Sequence, residues 1–336
     1  MILTPGVLAL LVGSGCVVLL LAVCSWHAGV IVKRWDLSSS SAGQLELERR
    51  THLVSTVVAY GLGCQLLSAL LFVHTVDDLH PLVVGAMCAT GVLNANPVGW
   101  YALAVKLVLL FATGFWLALD AVDRRAEDYP LCRVKFGVLL GVAPLVVLDF
   151  VLQARFFLGL RPDVITSCCG SLFTPAGQGL ASTLSALPAR PTLYGFFASA
   201  AALVAVAGFT LWRPTPARRY ALAALALWFL PASGMAIVSV ISPYIYESPI
   251  HHCPFDFLQA GYRYLGYPVY LSLAVGVFFG ALPAAFERLK RISSLAEPLE
   301  RLQHRWVLVS LVGLGVFLTL VAVSILSSNL TRLGGP

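Results

Sequence analysis

PGVLALLVGSGCVVLLLAVCSWHAGVIV, residues 5–32, carries no Asp, Glu, Lys or Arg. A helix needs about 20 apolar residues to cross the hydrocarbon of a bilayer, and this run is longer than that. Seven further stretches are similarly long and apolar, with few charges: 51–73, 101–121, 136–160, 191–212, 219–242, 264–286 and 306–327. The whole chain is 59% hydrophobic and 11% charged, with a mean hydropathy of +0.86. A water-soluble domain carries about a quarter charged residues. The short alternating segments of a β-barrel are absent. The fold class expected is therefore all-α, a polytopic integral membrane protein of about eight transmembrane helices.

The first run has no basic residue ahead of it and is too long for the apolar core of a signal peptide, so it is expected to be retained. Lys and Arg set the expected orientation. They gather at Lys33, Arg34, Arg49 and Arg50, at Arg124, Arg125, Arg133 and Lys135, at Arg213, Arg218 and Arg219, and at Arg288, Lys290, Arg291, Arg301 and Arg305. These alternate connections are read as cytoplasmic, which places both termini outside. The setting expected is the cytoplasmic (inner) membrane of a bacterium. The net charge of +6 follows from this bias and calls for no nucleic acid. The bilayer is the first partner.

Two connections at the outer side share a pattern. Cys88-ATGV-Leu93-Asn94-Ala95 is followed by Gly99-Trp100, and Cys253-PFDF-Leu258-Gln259-Ala260 by Gly266-Tyr267. The match suggests two parallel four-helix halves related by an axis along the membrane normal. The expected organisation is a first half at 1–160, an outer linker at 161–190 and a second half at 191–336.

The chemistry gathers on the same connections. Cys88, Cys168, Cys169 and Cys253 are the exported cysteines, and disulfide staples through the vicinal pair are one reading. A soft-metal site is another. Met87, Cys88, His251, His252 and Cys253 offer thioether, thiolate and imidazole donors, a set that leans toward copper. The third is thiol–disulfide exchange. CPFD at 253–256 resembles the thioredoxin-type CPxC motif with Asp256 in place of the second cysteine. In that reading Cys253 attacks, Cys88 or the 168/169 pair resolves, and His252 lowers the thiol pKa. Membrane oxidoreductases that pass electrons from exported thiols to quinone use comparable cysteines, a similarity of logic.

Charges within apolar runs are costly and mark candidate sites. Counting ~1.5 Å per residue from the outer ends puts Lys106 about 9 Å deep, Gln153 about 10 Å and Asp149 about 16 Å. A lysine stem could reach either neighbour; Lys106 and Asp149 are expected to pair, and with Gln153 to manage protons or a quinone. His27 and His52 are weaker candidates for haem ligation.

No nucleotide-binding or zinc-protease motif occurs. The function expected is thiol or soft-metal handling during maturation of exported proteins, with an exported metalloprotein or thiol protein as partner. The alternatives are a permease for a small solute or ion, or a membrane subunit of a respiratory or maturation complex without chemistry of its own. An enzyme, on this reading, would be a membrane thiol–disulfide oxidoreductase.

Overall fold

The computed structural model describes residues 3–36, 41–161, 165–166 and 180–332. Among them are eight helices long and apolar enough to cross a membrane. They are α1 (Pro5–Arg34), α2 (Ala42–Asp78), α3 (Gly99–Asp123), α4 (Cys132–Leu158), α5 (Ala189–Trp212), α6 (Pro216–Tyr246), α7 (Gly266–Arg291) and α8 (Ser293–Ser327). No strand occurs among the described residues. Hydrocarbon leaves backbone amides no solvent partner, so an apolar chain must satisfy them within its own helices.

Local signals set the helix ends. Pro5 opens α1, where its missing N–H costs nothing, and Lys33 and Arg34 stand in its last turn, where they suit the helix dipole. Ser41 accepts from Gln44 N at 3.3 Å and caps α2. Thr215 accepts from Arg218 N at 3.4 Å and caps α6. Helix α8 begins well before the apolar run at 306–327. Its Leu295, Leu299 and Leu302 are buried, and Pro298 lies within the helix.

The chain divides into two units. The first comprises Met1–Val84, Val92–Val164 and Ile292–Pro298, the second Gly85–Gly91, Ile165–Arg291 and Leu299–Pro336. In the first, α1 packs on α2 and α4, and α3 on α2 and α4. Leu21, Ala28, Val58, Leu62, Trp116 and Phe136 fill its core. Phe72, Phe156 and Phe157 make an aromatic cluster.

In the second unit, α6 packs on α5 and α7. The rings of Phe196, Phe229 and Phe317 meet within 6.0 Å. Small residues bring α7 and α8 together. Ser310 donates to Gly276 O at 2.6 Å, and a Cβ at Gly313 would lie 2.8 Å from Gly276 N. Such close approach is what holds helices together where lipid offers no hydrophobic drive. Helix α6 widens into a π turn over Ile237–Ile241, a feature frequent at functional sites.

Candidate functional site: a buried thiol and carboxylate cluster

The second unit brings together two cysteines that are far apart in sequence. Cys88 Sγ and Cys253 Sγ lie 3.5 Å apart, and both residues are fully buried. The nearest carboxylate belongs to Asp256. One ligand atom from each of Cys88, Cys253 and Asp256 lies within 4.8 Å of the other two. Thr90 Oγ1 is 3.5 Å from Cys253 Sγ, and Phe255 N donates to that sulfur at 3.4 Å.

The connection after α6 is shaped to present these groups. Glu247 ends the helix in the left-handed region, at φ 54°. Tyr246, on the last turn, donates its hydroxyl to Cys253 O at 2.6 Å and accepts from Phe257 N at 3.0 Å. Tyr270 on α7 donates to Pro254 O at 2.5 Å, and its ring stacks on Phe257. Two phenols thus fix the backbone on both sides of the CPFD turn. Across from it, Gly85 takes φ +83° with its Cα facing Thr166 O, where a Cβ would come within 2.6 Å. Thr166 donates to Gly91 O at 2.9 Å, and Gln259 donates to Met87 O at 2.9 Å. The Gln259 bond holds the Cys88 segment against the Cys253 turn, and the Thr166 bond ties the same segment down from another side.

His251 Nε2 lies 2.5 Å from Asp256 Oδ2, with 36% of the histidine side chain exposed. Burial by itself raises the Asp256 carboxyl. The hydrogen bonds from His251, Cys88 and Cys253 outweigh it and hold the group below the usual carboxylate range. Tyr262 beside the cluster is raised, by burial first and then by the charges of Asp256 and Cys253.

The remaining candidates fall elsewhere. The His252 ring does not join the three-ligand group. Its Nδ1 is 2.9 Å from Val238 O, in the π turn of α6. Met87 is 63% exposed and contributes its carbonyl to Gln259. Cys168 and Cys169 lie outside the described residues. His52 packs edge-on against Tyr129. The placing of Asp256 beside both thiols is what sequence reasoning missed. Its signal was the CPFD tetrad itself, which sets a carboxylate where a second thiol would stand.

The first unit holds a separate buried polar group. Lys106 Nζ donates to Asp149 Oδ2 at 2.9 Å, and both side chains are essentially inaccessible. Gln65 Nε2 donates to the same oxygen at 2.6 Å. Ser68 Oγ is 3.5 Å from Lys106 Nζ. Gln153 turns instead to α1, donating to Leu10 O and Ser14 Oγ. Gln65 is the second residue that the sequence reading missed. Its signal was an amide in the middle of an apolar run.

No protein family matches the chain, nor does any curated protein or solved structure.

Proposed function

We propose that this membrane protein handles a thiophilic metal ion on the exported side of the bilayer, bound as cargo by Cys88, Cys253 and Asp256. The reading rests on one observation, two fully buried sulfurs 3.5 Å apart with a buried carboxylate beside them. Two thiolates held at ~2.3 Å from one tetrahedral ion stand ~3.8 Å apart, so only a small adjustment is needed. The carboxylate favours a divalent, borderline ion such as Zn²⁺ over Cu(I), which prefers soft donors throughout. Charge argues the same way. Two thiolates and a carboxylate carry three negative charges, and a divalent ion neutralises more of them in a medium of low dielectric.

Binding exchanges two thiol protons for the ion. His251 touches the carboxylate and reaches solvent, which gives those protons an exit. Tyr246 and Tyr270 keep the turn in place. Delivery to an exported metalloprotein is the use that fits such a site in a membrane protein.

A dithiol–disulfide couple is the second reading, favoured by the direct contact of the two sulfurs. They would close by about 1.5 Å to reach the ~2.05 Å of a disulfide. The complete burial of both counts against exchange with a protein substrate, because a reactive thiolate needs access.

The test uses the purified full chain. Zn²⁺ and Cu⁺ affinities would be measured for the wild type and for Cys88→Ser, Cys253→Ser and Asp256→Asn, with differential alkylation of the thiols alongside. Stoichiometric Zn²⁺ lost in each variant is the expected result. Failure of either ion to bind, with Cys88 and Cys253 recovered as a reducible disulfide, would replace the metal reading by the redox one.

A further inference from the structure

Cys88 and Cys253 are fully buried, so an ion reaches them only through a wall of the second unit. The π turn of α6 is one such wall. Val238 of that turn packs against both cysteines. The next two residues, Ser239 and Val240, line a hollow of about 210 Å³. The same turn therefore borders both the hollow and the sulfurs.

His252, the residue before Cys253, also lines the hollow. Its Nδ1 lies 2.9 Å from Val238 O. A carbonyl oxygen only accepts, so Nδ1 carries the proton and Nε2 keeps its lone pair. Nε2 takes no hydrogen-bond partner among the described residues and is not shut inside the protein. A histidine with one ring nitrogen tied to a backbone carbonyl is oriented as metal ligands are, with the other nitrogen free to bind.

Size and lining choose the occupant. The hollow is smaller than the ~300–1,000 Å³ of small-molecule sites. Water takes ~30 Å³ per molecule, which leaves room for an ion with several waters still bound. Ser185 Oγ donates to Ser182 O at 2.9 Å, and Ser239 Oγ donates to Met235 O at 2.7 Å. Both residues line the hollow. Each hydroxyl has spent its proton and has lone pairs left. Lone pairs suit a cation and the hydrogens of its water. No Lys or Arg is among the described residues of the wall.

We infer that, given a metal at the cysteine cluster, this hollow is its port and His252 Nε2 is the ligand that receives the ion there. The bond from Nε2 to the ion is then exchanged for a bond from Cys253 Sγ, and the thiol proton it displaces goes to water. The two ligands stand on adjacent residues, so the hand-over is short. The port presupposes the metal of the cysteine cluster, but kinetics tests the one and equilibrium binding the other. A ligand on the path changes loading and release by the same factor and leaves Kd alone.

The experiment follows Zn²⁺ uptake and release by the full chain in detergent. Release is read by transfer to an excess of chromophoric chelator, and uptake by quenching the free ion with it at set times. His252→Ala should slow both about tenfold with Kd unchanged. His252→Asn keeps an amide N–H for Val238 O and loses the ring nitrogen, so it should be as slow as the alanine variant. Ala189→Trp fills the hollow from its wall, spares every proposed ligand, and should slow both steps too. Wild-type rates in His252→Asn would reduce His252 to its bond with Val238 and overturn its role as a ligand. Wild-type rates in a folded Ala189→Trp protein would overturn the port. A weakened Kd in His252→Asn would place His252 in the resting site instead of the path. In each of these cases the metal at the cysteines stands. A wild type that takes up no Zn²⁺ would end the metal reading, and the port with it.

Discussion

Lys106 and Asp149 face each other across α3 and α4 at 2.9 Å, the lysine 2% and the aspartate 0% exposed. Their charges are paired where neither could be solvated. Removing one partner strands the other, which costs about 3–5 kcal/mol, whereas replacing both by apolar groups costs far less. Lys106→Met and Asp149→Leu should each destabilise the protein by about that amount. The double variant should recover much of the loss. Denaturant unfolding of the four proteins in detergent gives the coupling directly, and additive losses would mean the pair is not an energetic unit.

Chelation should reveal the second unit's cluster through stability. A ligand that binds only the folded state adds RT ln(1 + [L]/Kd), about 2.7 kcal/mol at a hundredfold excess over Kd. Added Zn²⁺ should therefore raise the Tm of the wild type, and a chelator should reverse the gain. Cys253→Ser should respond to neither. A metal-dependent shift that survives in this variant would place the ion elsewhere.

These two groups were unequally visible in the sequence. The eight spans follow from the thickness of hydrocarbon, which any apolar run of sufficient length reports. Their ends were less legible. Helix α2 starts at Ala42 and α8 at Ser293, because a helix continues past the apolar run where its side chains still pack, as Gln44, Leu295 and Leu299 do. The charges at Lys106 and Asp149 stood out because apolar runs rarely contain them. Depth and the length of a lysine stem left both Asp149 and Gln153 within reach of Lys106, and opposite charge favoured the aspartate. Cys88 and Cys253 were marked by the matched runs around them, but the contact between them is a product of packing, which spacing does not encode. Asp256 was read as a missing thiol because the tetrad resembles a redox motif. Its place beside two thiols shows only once the fold brings Cys88 there.

Tyr246 packs against the buried cysteine cluster, and its hydroxyl should matter to the cluster as well. Its hydroxyl bridges Cys253 O and Phe257 N. Tyr246→Phe removes both bonds and leaves a buried amide and carbonyl unsatisfied, a loss of about 1–3 kcal/mol. The turn should loosen first, so Cys253 should alkylate faster while overall helicity is retained. An unchanged alkylation rate would assign the positioning of the turn to Tyr270 alone.

The matched runs end on glycines that perform the same task in each unit. A Cβ at Gly99 would lie 2.2 Å from Leu93 O, and one at Gly266 would lie 2.6 Å from Leu258 Cδ2. Leu93 and Leu258 are the equivalent leucines of the two runs. In both places the start of a helix sits directly on the segment before it, and only a bare Cα fits. The obstacles differ in kind. Leu93 O is backbone, and relieving the clash means moving the chain. Leu258 Cδ2 is the tip of a side chain that can change rotamer. Overpacking of a tight site costs about 1–3 kcal/mol, and more where nothing yields. Gly99→Ala should therefore destabilise more than Gly266→Ala, which in turn should perturb the Cys253 turn through Leu258. Thermal unfolding ranks the two substitutions, and Cys253 alkylation reads the second effect. A Gly266→Ala protein less stable than Gly99→Ala would show that the Leu258 side chain is locked as firmly as the backbone.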